Sequence, residues 1–315
     1  MARRPGLPHD RAATLWSAGE GASHMLQASF DRWAAALIED DGITSPLMGS
    51  DHPVTARILA RESGTVAGAS MVDHMIMIWA PSIRIQWRAG DGRSISAGDE
   101  LAELTGPNED LLKIERSILN VLARLSGIAT ETWRWNQASP LPIAATRKVT
   151  WGLLDKWAVS LGSGLTHRLN RIDARMVKEN DLAAMHPSEG SNADRLARYL
   201  LEADPSEAGA FLEIETRTER EAITAAAVWA KRREESGDLN PLVIMLDNMT
   251  PSMCASITEQ VSSMGLREHV MFEASGRISY EDLSGWRDSG VDVLSAGAIT
   301  QRAPPLDLTM LVDSP

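Results

Sequence analysis

Four apolar runs in the second half of the chain each end on a polar residue or a glycine. They are FLEIE ending at Glu215, LVIMLD ending at Asp247, VMFEAS ending at Ser275 and VDVLSAG ending at Gly297. Near-continuous apolar runs of this length suit strands buried on both faces, with the polar residue where the chain leaves the core. Helix-like stretches separate them, and from about Ala144 onward strand and helix signals alternate. That alternation predicts a parallel sheet with crossover helices. In an α/β barrel the C-terminal strand ends form the active-site face.

The first third has a different pattern. A helical segment near Ser29–Ile38 precedes three short β-like pieces, VTARILARESGTVAG, IRIQWRAGDGRSISAG and ELAELTG. The turns at Gly90, Asp91 and Gly92 and at Ala97, Gly98 and Asp99 contain the residues that tight reversals require. A small, mainly antiparallel sheet with a helix or two is expected. A long helix follows in DLLKIERSILNVLARLSGIATETWRWN, with Leu112, Ile118, Leu119, Leu122 and Leu125 as its apolar positions. Thr250-Pro251 reads as a helix start, a capping hydroxyl before a first-turn proline. The expected division is a flexible arm over 1–25, an α+β domain over 26–125 and an α/β barrel over 126–305. The last piece, 306–315, is a short apolar strand candidate with return to the first domain as one option.

Charge and cysteine content narrow the class. The net charge of −12 over 315 residues argues against nucleic acid or an anionic membrane as main partner. A single cysteine, Cys254, excludes an intrachain disulfide, and its helix-like context suits a small core residue. The first 23 residues carry positive charge without the continuous apolar stretch of a signal peptide. No window has the apolar length of a membrane span. A cytoplasmic protein is the expectation.

Against the overall negative charge, Thr146–Lys178 is basic. Arg147, Lys148, Lys156, Arg168, Arg171, Arg175 and Lys178 face only Asp155 and Asp173 in this stretch, with Glu179 just beyond it. With His167, these side chains could hold several carboxylate or phosphate oxygens, arginine as a planar fork and lysine as a point charge. The bland alternative is a solvated basic face. Arg147-Lys148 after IAAT and Lys178 after MV read instead as strand ends. Glu215 and Asp247 end buried runs, where an unpaired carboxylate is costly. A hydrated magnesium ion would satisfy both; structural pairing with neighbouring bases is the equal alternative. Ser275, Gly276 and Gly297 let backbone N–H groups approach a phosphate closely. Seven histidines without HxxxH or HxH spacing disfavour zinc. There is no GxSxG elbow, GxxxxGK[ST] loop or GxGxxG fingerprint.

These residues lie in segments that resemble the quinolinate phosphoribosyltransferase family, the decarboxylating nicotinate-nucleotide pyrophosphorylases. The segments are ERSILNVLARLSGIAT, TRKVTWGLLDKWAV, GSGLTHRLNRIDARMVKEN, EIE, IMLDNM, EASGRIS and VLSAGAITQRAPPLDLTM, in the family's order from about Leu37 to Met310. The resemblance implies an incomplete α/β barrel behind an N-terminal α+β open sandwich. It implies a homodimer in which Arg116 reaches the neighbouring site. Arg147, His167, Arg168 and Lys178 would bind quinolinate, with Lys148 near both substrates. Glu215 and Asp247 would serve the ribose and a magnesium-bound pyrophosphate, and Ser275, Gly276 and Gly297 the 5′-phosphate. The implied reaction takes quinolinate and phosphoribosyl pyrophosphate to nicotinate mononucleotide, pyrophosphate and carbon dioxide. Lys148, Glu215 and Asp247 are its implied catalytic residues.

The chain also departs from the family pattern. The usual KDNH reads KEND, placing Asp181 where a histidine stands. The usual SGG reads Ser275-Gly276-Arg277. Two alternatives follow: the same transfer to a different pyridine or aromatic carboxylate, or a catalytically silent ligand-binding relative.

Overall fold

The computed structural model describes residues 6–17, 19–236 and 239–313. In chain order the principal strands are β1 (Pro53–Ala60), β2 (Arg84–Trp87), β3 (Glu100–Pro107), β4 (Ile143–Ala145), β5 (Arg175–Val177), β6 (Leu212–Thr216), β7 (Leu242–Asp247), β8 (Val270–Ser275), β9 (Val293–Ala296) and β10 (Leu308–Val312). They form one four-stranded antiparallel sheet and one six-stranded parallel sheet.

The parallel sheet has the order β4-β9-β8-β7-β6-β5. Every neighbour pair is parallel. From β5 to β9 each strand pairs with the next in sequence, and β4 then joins beyond β9. The strands β4 and β5, which would have to pair for closure, are the two edges. This is the incomplete α/β barrel expected from the sequence. Its strands are short and almost wholly buried, as in Leu212–Thr216, where every residue is. Helices Asn192–Glu202, Glu219–Ser236 and Pro251–Ser263 belong to the same compact unit. Thr250 caps the last of these, its hydroxyl accepting from the Met253 N–H at 3.3 Å. Cys254 is buried in that helix, and burial pushes its thiol up to about 12.

The antiparallel sheet has the order β10-β1-β3-β2. Alternation along β1 buries Ala56, Ile58 and Ala60 on one face. Helices His24–Asp40 and Ala69–Trp79 belong to the same unit. The 31-residue helix Asn108–Ala138 buries Leu111, Ile114, Ile118, Leu122 and Leu125 at spacings of three and four. Leu112, expected on that apolar face, is exposed instead.

The two compact units do not follow chain order. One gathers 6–11, 135–147 and 167–298; the other gathers 12–134, 148–166 and 299–313. Three pieces read from sequence as barrel, 126–134, 148–166 and 299–305, therefore cluster with the antiparallel sheet. Tryptophan packing accounts for the middle piece. Trp157 on helix Leu153–Leu161 stacks on Trp16 at 5.6 Å and meets Phe30 at 5.4 Å, and Trp151 stacks on Trp33 at 5.3 Å. Lys156, counted in sequence among the site cations, is fully buried here and donates to the Thr166 carbonyl at 2.6 Å.

The N-terminal residues also differ from the loose arm expected. His9 and Leu15 are fully buried, and the helix His24–Asp40 begins within the span assigned to the arm. Among the described residues no helix is long and apolar enough to cross a membrane.

Candidate active site

The C-terminal ends of β5, β6 and β7 bring a base and two acids to one place. Lys178 follows β5, Glu215 is the penultimate residue of β6, and Asp247 ends β7. The Lys178 Nζ pairs with the Glu215 carboxylate. Glu215 is 5 % exposed and Lys178 47 %, so the acid is held in the sheet while its partner reaches in from solvent. Lys178 of the basic group and Glu215 of the acidic pair, read separately from sequence, are thus ion-paired.

Arg217 extends it. Sequence reasoning passed over this residue, two positions beyond Glu215. Its guanidinium lies 3.4 Å from Glu215 and 3.8 Å from Asp247, and also pairs with Glu179. The available signal was a base just past a strand end in a chain rich in acids. Asp247 also accepts from the Asn248 amide at 2.8 Å. Asp181, at the position that departs from the family pattern, accepts from the Lys178 N–H at 3.0 Å and so caps helix Glu179–Met185.

Ser275 ends β8 and pairs in register with Asp247. The Asn248 N–H donates to the Ser275 carbonyl at 2.8 Å, locking the two strand exits together. Gly276 has φ of +94°, and a Cβ there would stand 2.5 Å from Asn248 Oδ1. Only glycine fits this turn without a shift. A cavity of about 680 Å³ opens beside it, lined by Asn248, Thr250, Gly276, Arg277, Ser284 and Trp286 among others. Gly297 follows β9 and precedes the short helix Ala298–Gln301.

His167 and Arg168 are placed differently from the mouth residues. Both are buried, in the segment leading to β5. The Arg168 guanidinium donates to the Ala174 carbonyl at 3.3 Å, with Met176 Sδ at 3.2 Å. His167 Nε2 lies 3.0 Å from Glu273 and 3.4 Å from Glu213, two fully buried acids on β8 and β6. His9 completes the cluster, its Nε2 at 2.9 Å from the same Glu273 oxygen. Glu213 and Glu273 each lie two residues before a strand-end site residue, on the same face and one step deeper. The spacing is visible in FLEIE and VMFEAS, but not what either acid would meet.

Protons in this cluster follow from its hydrogen bonds. Burial opposes charge on the His167 ring, but the facing Glu273 and Glu213 carboxylates outweigh it and raise its pKa to about 9. Burial likewise opposes a charged Glu273, and His167 and His9 outweigh it, holding that carboxyl well below the usual range. A second ring proton would sit on Nδ1, where the Arg168 N–H already donates at 2.7 Å. The two acids favour the charged ring and the Nδ1 contact opposes it, and in either form Nε2 carries a proton toward the acids. His9, His167 and Glu273 offer donor atoms close enough for a metal ion. A ligating histidine, however, donates its other ring N–H outward, and here Nδ1 accepts. The cluster is therefore read as polar contacts between rings and acids.

Arg147 is exposed just beyond β4. Arg175 opens β5 at its other end and pairs with Glu207 at 3.2 Å. Lys148 and Arg116 belong to the compact unit of the antiparallel sheet, and both are exposed.

Comparison with known proteins decides the family. Residues 128–311 match the model of the quinolinate phosphoribosyl transferase C-terminal domain, and 41–126 that of its N-terminal domain. The chain belongs to the quinolinate phosphoribosyltransferase family. It is 34% identical over 278 residues to a probable nicotinate-nucleotide pyrophosphorylase [carboxylating] of Methanothermobacter thermautotrophicus, covering 86% of this chain and 92% of that one. It is 31% identical over 294 residues to the chloroplastic nicotinate-nucleotide pyrophosphorylase [carboxylating] of Arabidopsis thaliana, covering 89% and 81%. Among solved structures, NadC from Streptococcus pyogenes superposes with a TM-score of 0.75 at 27% identity, covering 92% of this chain and 98% of that one. The nicotinate-nucleotide pyrophosphorylase from Francisella tularensis gives 0.74 at 25%, covering 90% and 97%.

Proposed function

We propose that this chain is a nicotinate-nucleotide pyrophosphorylase (carboxylating), a pentosyltransferase of NAD biosynthesis that converts quinolinate and phosphoribosyl pyrophosphate to nicotinate mononucleotide. The observation that carries this reading is the Lys178–Glu215 pair, extended by Arg217 toward Asp247, at the C-terminal ends of adjacent parallel strands. Such a site suits a multiply anionic substrate pair and a transition state with positive charge on a sugar.

In the reaction the pyridine nitrogen forms a bond to C1 of the ribose as the C1–oxygen bond to pyrophosphate breaks. Glu215, at the edge of the core, stabilises the positive charge that develops on the ring as pyrophosphate departs. The bond from ring C2 to its carboxylate then breaks, carbon dioxide leaves, and the electron pair remaining on C2 takes a proton. The quaternised nitrogen is the main electron sink, and surrounding bases add to its effect. Arg147, His167, Arg168 and Lys178 are assigned to the dicarboxylate, Lys148 to a position near both substrates, and Ser275, Gly276 and Gly297 to the 5′-phosphate. No enzyme nucleophile is needed.

Magnesium is the proposed cofactor. Glu215 and Asp247 supply only oxygen donors, the set a hard divalent cation prefers, and substrate phosphates would complete its shell. When bound, the ion neutralises charge on the departing pyrophosphate. A homodimer with Arg116 contributed from the partner is part of the same proposal.

The test is purified protein with phosphoribosyl pyrophosphate, magnesium and a panel of pyridine carboxylates, read by mass spectrometry. Quinolinate should give nicotinate mononucleotide and carbon dioxide, and chelation of magnesium should abolish turnover reversibly. Product from another acid alone would move the assignment to that acid. Binding without any product would indicate a silent relative.

A further inference from the structure

We infer that the N-terminal segment bearing His9 and Arg11 is a fastener that positions His167 and Arg168 for the pyridine acid; this rests on the function proposed above. The segment lies outside the matched family domains, which begin at residue 41. It nevertheless belongs to the parallel-sheet unit, whereas residues 12–134, which follow it directly, belong to the other.

Three contacts tie it to the loop before β5. The His9 carbonyl accepts from the His167 N–H at 2.8 Å. The His9 ring, fully buried, shares one Glu273 oxygen with His167 and packs against Phe211 with ring centres 5.3 Å apart. Arg11 donates through Nε and Nη2 to Asp173 Oδ1 at 3.1 and 3.0 Å.

Asp173 passes this anchoring on. Its other oxygen accepts from the Leu169 N–H at 2.9 Å, and its own N–H donates to Asn170 Oδ1 at 2.9 Å. The loop His167–Asp173 is thus clamped at both ends by residues two apart in sequence. Within it His167 holds φ of +53°, a conformation a non-glycine residue keeps only when its surroundings fix it. Arg168 follows directly, so its guanidinium depends on the same clamp. A carboxylate-binding pair held this way is preorganised, and loosening it should weaken acid binding more than it slows chemistry.

The experiment uses full-length His9→Ala, Arg11→Ala and Arg11→Lys variants. Hydrogen exchange at the His167 and Leu169 amides should quicken in both alanine variants. The KM for quinolinate should rise about tenfold, with the KM for phosphoribosyl pyrophosphate unchanged, since misplaced positioning groups commonly lose one to two decades. Arg11→Lys keeps the charge without the fork and should fall between. Unchanged exchange at both amides would overturn the fastener. So would equal rises in both KM values alongside a general loss of thermal stability. An inactive wild-type protein would refute the proposed function, while the exchange measurement would still decide the clamp.

Discussion

Lys178 and Glu215 show how burial divides roles within a single pair. The acid is nearly inaccessible and the base is half exposed, so the base can exchange partners when anions arrive while the acid stays. Removing Lys178 leaves Glu215 beside Arg217 at 3.4 Å. Lys178→Ala is expected to lower kcat/KM about 100-fold, comparable to deleting one electrostatic stabiliser of a transition state, measured by steady-state kinetics on quinolinate. Gly276→Ala tests the turn beyond β8. A methyl at φ of +94° and 2.5 Å from Asn248 would force the two strand exits apart. The KM for phosphoribosyl pyrophosphate should rise and stability fall by about 1–3 kcal/mol, read by kinetics and denaturant unfolding. At this scale sequence named the strand-end residues, because a polar side chain at the end of an apolar run stands out. It did not show that Lys178 contacts Glu215, nor that Arg217 joins them, because such pairing depends on which strands are neighbours.

At the scale of elements, local chemistry was most legible. Thr250-Pro251 marks a helix start by capping rules alone, and the helix Pro251–Ser263 begins there. Thr250→Ala should lower stability by about 1 kcal/mol, visible as a small fall in Tm, because one first-turn N–H loses its acceptor. The parallel strands were legible from their apolar runs, and the long helix from its three–four spacing. What periodicity could not report is the surface against which an element packs. WGLLDKWAVSLG reads as apolar whichever unit receives it, and ring stacking between Trp157 and Trp16 joined it to the antiparallel sheet. The same limit applies to Glu213 and Glu273: alternation puts them on the inner face, while His9 and His167 as their partners come from distant parts of the chain.

For the whole molecule, the proposed dimer makes a mixing experiment decisive. If Arg116 serves the neighbouring site, Arg116→Ala and Lys178→Ala chains mixed and reassociated should regain activity that neither has alone. Random pairing makes half the dimers mixed, each with one intact site, so about a quarter of all sites should recover in a two-fold assembly. Heterodimers verified by mass spectrometry yet without recovery would show that Arg116 acts within its own chain or not at all.

Sequence by itself determined the α/β class, the parallel character of the apolar strands, the positions where strand ends carry acids, bases and glycine, and the family to which they belong. These follow from short-range rules: apolar runs must be buried, glycine alone accepts certain turns, and caps need side-chain acceptors. Tertiary structure alone decided that 148–166 leaves the parallel-sheet unit, that Arg217 bridges two acids, and that His9 enters the unit to meet Glu273. Each joins residues far apart in the chain, and the burial and charge that select such partners exist only once the strands are assembled.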